Sequence, residues 1–357
     1  GYEAEIIEVE GDSSKGLPGL QIVGMGNKAI DEAKERVRSA IKNSMLDFPA
    51  KKIVINLAPA ELPKDGTFFD LPIAISILTL SGQIKQHEIK SKAFIGELSL
   101  SGELRPVKGI INILEKLRNS GINEVFIPLD NLESSSLIDG IKIIAAKNLK
   151  EIFLHLKGEK TITNQIIEHN HEKAQSQTEL DDIIGQEQAK RALTIAIAGH
   201  HNILLTGPPG TGKTMLAQAA LNLLPNLSKE EILEVLKIHG LVEDVDSKIS
   251  RPFRTPHHTA SKVSIIGGGS KALPGEISLA HNGVLFLDEM PEFPKSVLES
   301  LRQPLEDRKI TISRTNRKSS YPANFMLIAT MNPCPCGNLL SKNLECKCSE
   351  LEIKRYK

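Results

Sequence analysis

The feature that most constrains this chain is a glycine-rich loop between a short apolar run and a helical pattern. Its sequence, Gly207-Pro208-Pro209-Gly210-Thr211-Gly212-Lys213-Thr214, fits the pattern G-x-x-x-x-G-K-[ST]. A strand pattern at 202–205 precedes it, and a helical pattern at 215–224 follows it. In that setting backbone N–H groups and the helix N-terminus face phosphate, Lys213 reaches the β- and γ-phosphates, and the Thr214 hydroxyl binds Mg²⁺. The loop therefore predicts an α/β domain that binds a nucleoside triphosphate.

Two further apolar runs end in polar side chains that suit the same chemistry. Residues 283–287 have the length of a buried strand and are followed by Asp288 and Glu289. Residues 325–330 form another such run, and Asn332 lies just beyond it. We expect Asp288 to hold Mg²⁺ through its water shell, Glu289 to polarise the attacking water, and Asn332 to contact the γ-phosphate or that water. The alternatives are a solvated strand end for the carboxylates and a turn residue for Asn332.

The remainder of the chain divides into regions by its patterns. Residues 1–157 alternate β-rich runs with helical patterns, of which 28–43 is the clearest, so they predict a separate α/β domain. The strands expected there are 5–9, 20–23, 52–57, 93–98, 125–128 and 141–145. Residues 158–180 are polar without a sustained period, which is typical of an exposed linker. The domain that carries the glycine-rich loop is expected to occupy 181–357.

Composition excludes several classes of protein. The 357 residues include 44 Lys and Arg against 44 Asp and Glu, so the balance argues against a polyelectrolyte partner for the whole surface. An apolar fraction of 40% excludes wholesale disorder. The longest apolar run, 71–80, is half of what a bilayer requires, and the first residues lack a signal-peptide pattern. We expect a cytoplasmic protein without a membrane segment. We also expect a fragment, because the chain starts at Gly1 without a methionine and stops at Lys357 within a helical pattern.

The three strand ends resemble those of the AAA+ ATPases over residues 181–357. Three further segments narrow the resemblance to the magnesium-chelatase-like ComM/YifB family: R-P-F-R-T-P-H-H-T-A-S from residue 251, P-G-E-I-S-L-A-H from residue 274 and N-P-C-P-C-G from residue 332. The resemblance implies a homo-oligomeric, hexameric ring that uses ATP and Mg²⁺, with Ile184 and Gly185 beside the nucleotide. It also implies an arginine finger in a segment beyond the end of this chain.

Residues 1–157 are similar to the proteolytic domain of Lon-type proteases, which has a ribosomal S5 domain 2-like fold. The similar segments are P-K-D-G-T-F-F-D from residue 63 and G-E-L-S-L-S-G-E-L-R-P-V-K-G from residue 96. The Lon pattern requires a nucleophilic Ser where this chain has Phe68 and a Lys base where it has Ile111. Because nucleophilic catalysis requires a hydroxyl next to a base, we expect no protease activity and interpret the domain as a binding or ring-assembly module.

The cysteines form a second candidate metal site. All four fall within one short segment, at Cys334, Cys336, Cys346 and Cys348. Four thiolates can bind Zn²⁺ tetrahedrally, but C-x-C is tighter than the usual ligand spacing, and four inert reduced thiols are the alternative. The pair His257-His258 is a weaker metal candidate, because adjacent side chains on an extended backbone point to opposite faces, and a polar loop is the favoured interpretation.

Two basic stretches contain no acidic residue, 248–275 and 308–344. The family resemblance implies that an inserted hairpin follows the second helix and that 310–324 forms another, with both facing the pore of the ring. The residues that we expect to contact DNA phosphates are Arg317, Lys318, Lys262 and Lys271. Solvated loop charges are the alternative.

Three functions remain open from the sequence. The resemblance to ComM implies a DNA-directed ring motor that hydrolyses ATP for branch migration or unwinding. A magnesium-chelatase-type motor subunit and an ATP-controlled scaffold without motor activity are the alternatives. The fused Lon-like domain argues against the chelatase, but it does not exclude the scaffold.

Overall fold

The computed structural model divides the chain into two compact units. Residues 3–169 form the N-terminal unit, and residues 170–357 with the first two residues form the C-terminal unit. The division falls inside the predicted linker 158–180. The structure describes residues 2–24, 28–62, 64, 66–163, 178–243, 250–269, 272–314, 317–339 and 344–357.

The N-terminal unit is an α/β domain, as the sequence predicts. Its strands are β1 (Glu8–Ser14), β2 (Gly19–Val23), β3 (Lys52–Ala58), β4 (Lys92–Phe94), β5 (Glu97–Leu98), β6 (Leu104–Arg105), β7 (Glu124–Pro128) and β8 (Lys142–Ala146). Its helices are α1 (Lys28–Asn43), α2 (Asp70–Leu80), α3 (Gln86–Ile89), α4 (Ile110–Asn119), α5 (Leu132–Ser135) and α6 (Leu149–Leu156). The described strands form the sheets β1-β3-β2 and β4-β7-β8 and the hairpin β5-β6.

Helices α1 and α2 supply much of the core of this unit. On α1 the residues Val37, Ala40 and Ile41 are fully buried, as their three- and four-residue spacing predicts. Helix α2 buries most of its residues because it is apolar on nearly every side. It also begins with a buried carboxylate, Asp70, which accepts hydrogen bonds from Arg36 Nε at 2.8 Å and Arg36 Nη2 at 3.1 Å. Burial raises the pKa of Asp70, although Arg36 opposes this shift.

Two of the expected strands differ from the structure. Strand β1 covers Glu8–Ser14 and not 5–9, since this polar segment pairs antiparallel with β3 from Glu8 opposite Ala58 to Ser14 opposite Lys52. Pairing with a neighbouring strand, which the local pattern does not record, decides its position. The expected strand 93–98 splits into β4 and β5, which pair with β7 and β6 respectively.

The C-terminal unit is built on a parallel sheet. Its strands are β9 (Ile203–Thr206), β10 (Phe253–Arg254), β11 (Gly267–Gly268), β12 (Leu273–Pro274), β13 (Val284–Leu287), β14 (Lys309–Arg314), β15 (Arg317–Pro322) and β16 (Met326–Met331). Its helices are α7 (Glu187–Ala198), α8 (Lys213–Leu223), α9 (Lys229–His239), α10 (Lys262–Ile266), α11 (Glu276–Leu279), α12 (Lys295–Ser300), α13 (Arg302–Asp307) and α14 (Glu350–Tyr356).

The order of the parallel sheet is β10-β13-β16-β9. Leu287 lies opposite Ala329, and Met331 lies opposite Thr206, so β9, β13 and β16 end at the same edge. The loops that follow these three strands therefore meet, which is where open parallel sheets place their ligands.

Among the described residues of this unit, two antiparallel pairs lie outside the parallel sheet. Strands β14 and β15 form the hairpin that the family resemblance predicts within 310–324. The expected insertion after the second helix is different: its described residues contain helix α10 and a two-residue pairing of β11 with β12. Gly267 allows this pairing, since a Cβ there would lie 2.6 Å from the Leu273 carbonyl oxygen.

A buried histidine joins two segments of the C-terminal unit. His281 is only 4% exposed; its Nδ1 accepts a hydrogen bond from the Asn324 N–H at 3.0 Å, and its Nε2 lies 3.1 Å from a carboxylate oxygen of Glu234. With Nδ1 as acceptor, a neutral ring donates from Nε2. Burial lowers the pKa of His281, while Glu234 and Glu231 oppose this shift.

Within the described part of the chain, no helix combines the length and the apolar character needed to cross a membrane.

Candidate functional site

The glycine-rich loop follows β9 and leads directly into α8. Gly212 precedes the helix with φ of +81°, a conformation that suits glycine, and Lys213 is the first helical residue. The Thr211 hydroxyl donates to the Pro208 carbonyl at 2.9 Å and closes the turn. The loop thus has the strand-loop-helix context that the sequence predicts for phosphate binding.

The Lys213 ammonium lies inside this loop. Its Nζ donates to the carbonyl oxygens of Gly207 at 2.8 Å and Pro208 at 2.9 Å, and it lies 3.4 Å from Asn332 Oδ1. Partial burial lowers the pKa of Lys213, and the carboxylates of Asp288 and Glu289 oppose this shift. The cation therefore lacks full hydration, and negatively charged phosphate oxygens would be better acceptors than the two carbonyls.

A hydroxyl and a carboxylate stand side by side next to Lys213. Thr214 Oγ1 lies 3.4 Å from Asp288 Oδ2, and both side chains are exposed at the edge of the sheet. Oxygen atoms of this kind are the ligands that Mg²⁺ prefers, and Mg²⁺ usually keeps several waters. The donor set thus fits a magnesium ion that also touches phosphate.

Thr330 organises both acidic residues, and sequence reasoning missed it. It is fully buried near the end of β16; its hydroxyl donates to Asp288 Oδ1 at 2.5 Å and accepts from the Glu289 N–H at 2.9 Å. A signal was present in the sequence, because Thr330 is a polar residue at the end of an otherwise apolar run that predicts a strand.

Asn332 lies between the cation and the second carboxylate. Its Nδ2 is 3.5 Å from Glu289 Oε1, while its Oδ1 faces Lys213. Glu289 itself has φ of +51°, a sparsely populated conformation for a residue with a side chain. The structure therefore brings Lys213, Glu289 and Asn332 to one point, as the strand ends predict.

Ile184 and Gly185, which are expected beside the nucleotide, lie just before α7. Ile184 is 98% exposed, and Gly185 has φ of +77°. The neighbouring Gln186 donates from Nε2 to the Thr211 carbonyl at 3.3 Å, a contact that sequence reasoning did not predict. This contact places the segment next to the glycine-rich loop.

The four cysteine sulfur atoms form one cluster. All lie within 4.8 Å of one another. The separations are 3.4 Å between Cys334 and Cys336, 3.6 Å between Cys334 and Cys346, and 3.7 Å between Cys336 and Cys346. Backbone N–H groups, first that of Asn338, lower the pKa of Cys336 to about 6.

For His257-His258 the expected side-chain directions are wrong, although the interpretation as a polar loop agrees with the structure. Their rings do not point to opposite faces but lie against each other, with centroids 4.1 Å apart. The backbone turns at His258 and Thr259 and is not extended there. His257 Nδ1 is 2.8 Å from Thr259 Oγ1, so a local turn explains this pair.

Two arginines of the basic stretch 248–275 form hydrogen bonds within the protein, so they are less available to DNA than the composition of the stretch indicates. Arg254 donates to both oxygens of Glu276, at 2.6 and 2.9 Å, and Arg251 donates to the Asn282 carbonyl at 2.5 Å. These two arginines stabilise the fold. Lys262, in contrast, is exposed at the start of α10.

The structure does not describe the side chains of the other three DNA-contact candidates. Lys271 lies outside the described residues, and so do the side chains of Arg317 and Lys318. Only the backbone of the latter two is described, as the start of β15.

Apolar side chains occupy the two positions that carry the catalytic groups in Lon-type proteases. The Phe68 ring lies 4.4 Å from the Phe69 ring, and Ile111 is 3% exposed. Neither side chain carries a hydroxyl or an amine, so these two positions cannot supply a serine-lysine pair.

Comparison with known proteins identifies the family. Residues 179–357 match the family model described as "Magnesium chelatase, subunit ChlI", and residues 9–131 match "Subunit ChlI of Mg-chelatase". The chain is 48% identical to the uncharacterized protein YifB of Escherichia coli strain K12 over 349 residues, 97% of this chain and 69% of that protein. It is 44% identical to the competence protein ComM of Haemophilus influenzae over 363 residues, 100% of this chain and 71% of that protein.

A weaker similarity concerns the Lon proteases. Lon protease 2 of Bacillus subtilis is 27% identical over 199 residues, 48% of this chain and 35% of that protein. This agrees with the predicted Lon-like character of the N-terminal domain. Together with the glycine-rich loop and its partner strands, these matches show that the chain belongs to the magnesium-chelatase-like ComM/YifB family of AAA+ proteins.

Proposed function

We propose that this chain binds and hydrolyses ATP as part of a homo-oligomeric ring motor that acts on DNA. The observation that carries the ATPase proposal is the convergence of Lys213, Thr214, Asp288, Glu289 and Asn332 at one edge of the parallel sheet. Family membership supports an ATPase motor that uses ATP and Mg²⁺. The name of the relative ComM, a competence protein, supports DNA as the partner.

Each residue at this edge has a distinct part in the proposed reaction. Lys213 exchanges its two carbonyl acceptors for β- and γ-phosphate oxygens, and Thr214 and Asp288 hold Mg²⁺. Bound Mg²⁺ supplies positive charge that neutralises the phosphate oxygens. Glu289 orients and polarises the attacking water, and Asn332 contacts that water or the γ-phosphate.

Two substitutions separate binding from hydrolysis. We expect Lys213→Ala to abolish detectable ATP binding, because it removes the cation from the phosphate loop. We expect Glu289→Gln to bind ATP normally and lose hydrolysis, because only the water-polarising carboxylate is removed.

The measurements are nucleotide affinity by calorimetry and phosphate release by the full-length protein. Glu292→Gln is the matched control, since Glu292 is an exposed carboxylate three residues from Glu289. Equal loss of ATP binding in Lys213→Ala and Glu289→Gln would contradict these roles.

The DNA contact is assigned to the hairpin of β14 and β15. Arg317 and Lys318 begin β15, and the residues opposite them in the register of β14 are Arg314 and Ser313, neither of which is acidic. Cations at this position suit phosphate contacts without base specificity. Lys262, exposed on α10, is a second contact.

Salt dependence tests this assignment. We expect Arg317→Ala with Lys318→Ala to weaken DNA binding and to lower its salt slope by about 0.7 to 0.9 for each phosphate that the protein no longer neutralises. Lys354→Ala with Arg355→Ala is the matched control, because it removes an adjacent exposed basic pair outside both stretches. ATPase activity that DNA fails to stimulate would favour the scaffold over the motor.

A further inference from the structure

The four cysteine sulfurs lie close enough together to bind one zinc ion, and three of them have nearly tetrahedral separations. Four sulfur atoms about 2.3 Å from a central Zn²⁺ are about 3.8 Å apart along each edge of the tetrahedron. The three separations given above for Cys334, Cys336 and Cys346, 3.4 to 3.7 Å, lie near this value, and the Cys348 sulfur lies within 4.8 Å of each of them. A disulfide requires about 2.0 Å, so the sulfurs are arranged around a shared point and are not joined in pairs.

The tight spacing of Cys334 and Cys336 does not prevent this geometry. A turn closed by the Gly337 N–H, which donates to the Cys334 carbonyl at 2.9 Å, brings both sulfurs to the same side. Backbone N–H groups of Asn338 and Lys347 also point at the Cys336 sulfur. Such N–H groups orient metal-bound thiolates and offset part of their charge.

The cluster is directly connected to the proposed ATP site. Cys334 is two residues after Asn332 and is fully buried. Gly337 packs so closely on the glycine-rich loop that a Cβ there would lie 2.8 Å from the Pro209 side chain. The cysteine turn thus contacts one part of the phosphate loop and is continuous with the residue that faces Lys213.

The second half of the cluster brings in another segment. Cys346 and Cys348 precede α14, which begins with a capping box at Ser349. At the far end of this helix the Tyr356 hydroxyl lies close to the backbone N–H of Asn332. The segment 344–357 therefore touches the Asn332 turn twice, through the sulfurs and through Tyr356.

We propose that Cys334, Cys336, Cys346 and Cys348 bind one structural zinc ion, and that this ion positions Asn332 by joining the turn that follows it to the segment 344–357. Zinc binding stands on the cysteine geometry alone. The expectation that zinc affects ATP turnover through the position of Asn332 rests on the proposed ATPase function.

Metal content tests the first part. We expect about one zinc per chain in the purified full-length protein, and loss of that zinc in Cys346→Ser with Cys348→Ser, which leaves the residues next to Asn332 unchanged. Lys347→Ala is the matched control, because it keeps every thiol and the backbone N–H that faces Cys336. If the double variant does not fold, exchange of zinc for Co²⁺ in the wild-type protein provides the second measurement, through the absorption of a four-thiolate cobalt site.

Hydrogen exchange and kinetics test the second part. We expect the amides of 332–338 to exchange at least about tenfold faster in the double variant, while those of α7 are unchanged. ATP affinity should stay within about threefold, and turnover should fall about 10- to 100-fold, since supporting residues of a site have effects of this size.

Several outcomes would overturn the proposal. The zinc site would be refuted if the full-length protein, as purified, is folded, contains no zinc and has four freely reactive thiols. Unchanged exchange at 332–338 in a zinc-free variant would refute the positioning of Asn332. Metal content and exchange are measured without ATP, so a wild-type protein without ATPase activity would overturn the proposed function and leave the zinc result intact.

Discussion

Removal of the Thr330 hydroxyl tests whether the two carboxylates depend on a buried support. Thr330→Val keeps the shape of the side chain but removes the donor to Asp288 Oδ1, at 2.5 Å, and the acceptor of the Glu289 N–H, at 2.9 Å. Because Thr330 is fully buried, no water replaces the hydroxyl easily. Asp288 then loses its orientation toward Thr214, and the backbone of Glu289 loses its anchor.

The expected magnitude follows from the type of hydrogen bond. A hydrogen bond to a charged group contributes about 1.5 to 3 kcal/mol. If this energy is removed from the transition state, turnover falls about 10- to 100-fold, since about 1.4 kcal/mol corresponds to a factor of ten. ATP affinity without Mg²⁺ should change little, because Lys213 and the glycine-rich loop are intact. The Mg²⁺ concentration required for half-maximal activity should rise.

The assay is phosphate release by the full-length protein over a Mg²⁺ titration, with two controls. Thr330→Ser retains the hydroxyl and should recover most of the turnover. Ser278→Ala removes a buried hydroxyl for which the structure shows no hydrogen-bond partner among the described residues, so it should leave turnover unchanged. If Thr330→Val has the turnover and Mg²⁺ dependence of the wild type, Asp288 and Glu289 do not need this support.

Two further predictions concern stability. Asp70→Ala should destabilise the N-terminal unit by about 3 kcal/mol in urea unfolding, because it leaves the part-buried Arg36 without its main partner. Glu32→Ala is the control: it removes an exposed carboxylate 3.9 Å from Arg36 and should cost less than about 1 kcal/mol. Similar losses of stability in the two variants would argue against a buried pair of Arg36 and Asp70. Burial lowers the pKa of His281, so the unfolded chain binds more protons than the folded one just below pH 6.5, and stability should fall as the pH drops from 7 to 5. His281→Gln should reduce this fall by up to about 1.4 kcal/mol per pH unit, and an unchanged pH profile would exclude the histidine as its source.

The sequence predicts well that the proposed ATP-binding residues meet, because each of them follows a local pattern. A glycine-rich loop, an acidic pair and Asn332 each follow a strand of recognisable length, and parallel strands bring their ends together. The sequence does not predict which polar residues pair across the fold. Arg254 belongs to a stretch without acids, yet it binds Glu276, and Thr330 supports Asp288 from a neighbouring strand.

The same limit explains the misplaced elements. Strand β1 has no apolar alternation, and β3 alone decides which of its residues pair. For His257 and His258, the directions of the side chains follow from the turn they occupy, and a rule for extended backbone does not apply.

The order of strands in the parallel sheet has a consequence for the emerging chain during synthesis. In the sheet, β16 lies between β13 and β9, although it is the last of these strands to be synthesised. Until β16 is made, β9, which precedes the glycine-rich loop, and β13, which precedes Asp288, have no hydrogen-bonded neighbour in common. Lys213 and Asn332 are 119 residues apart, so a large loop must close before they meet. If the proposed ATP site requires all three strand ends, ATP can stabilise only chains in which β16 is already paired, and it does not assist the folding steps that come before.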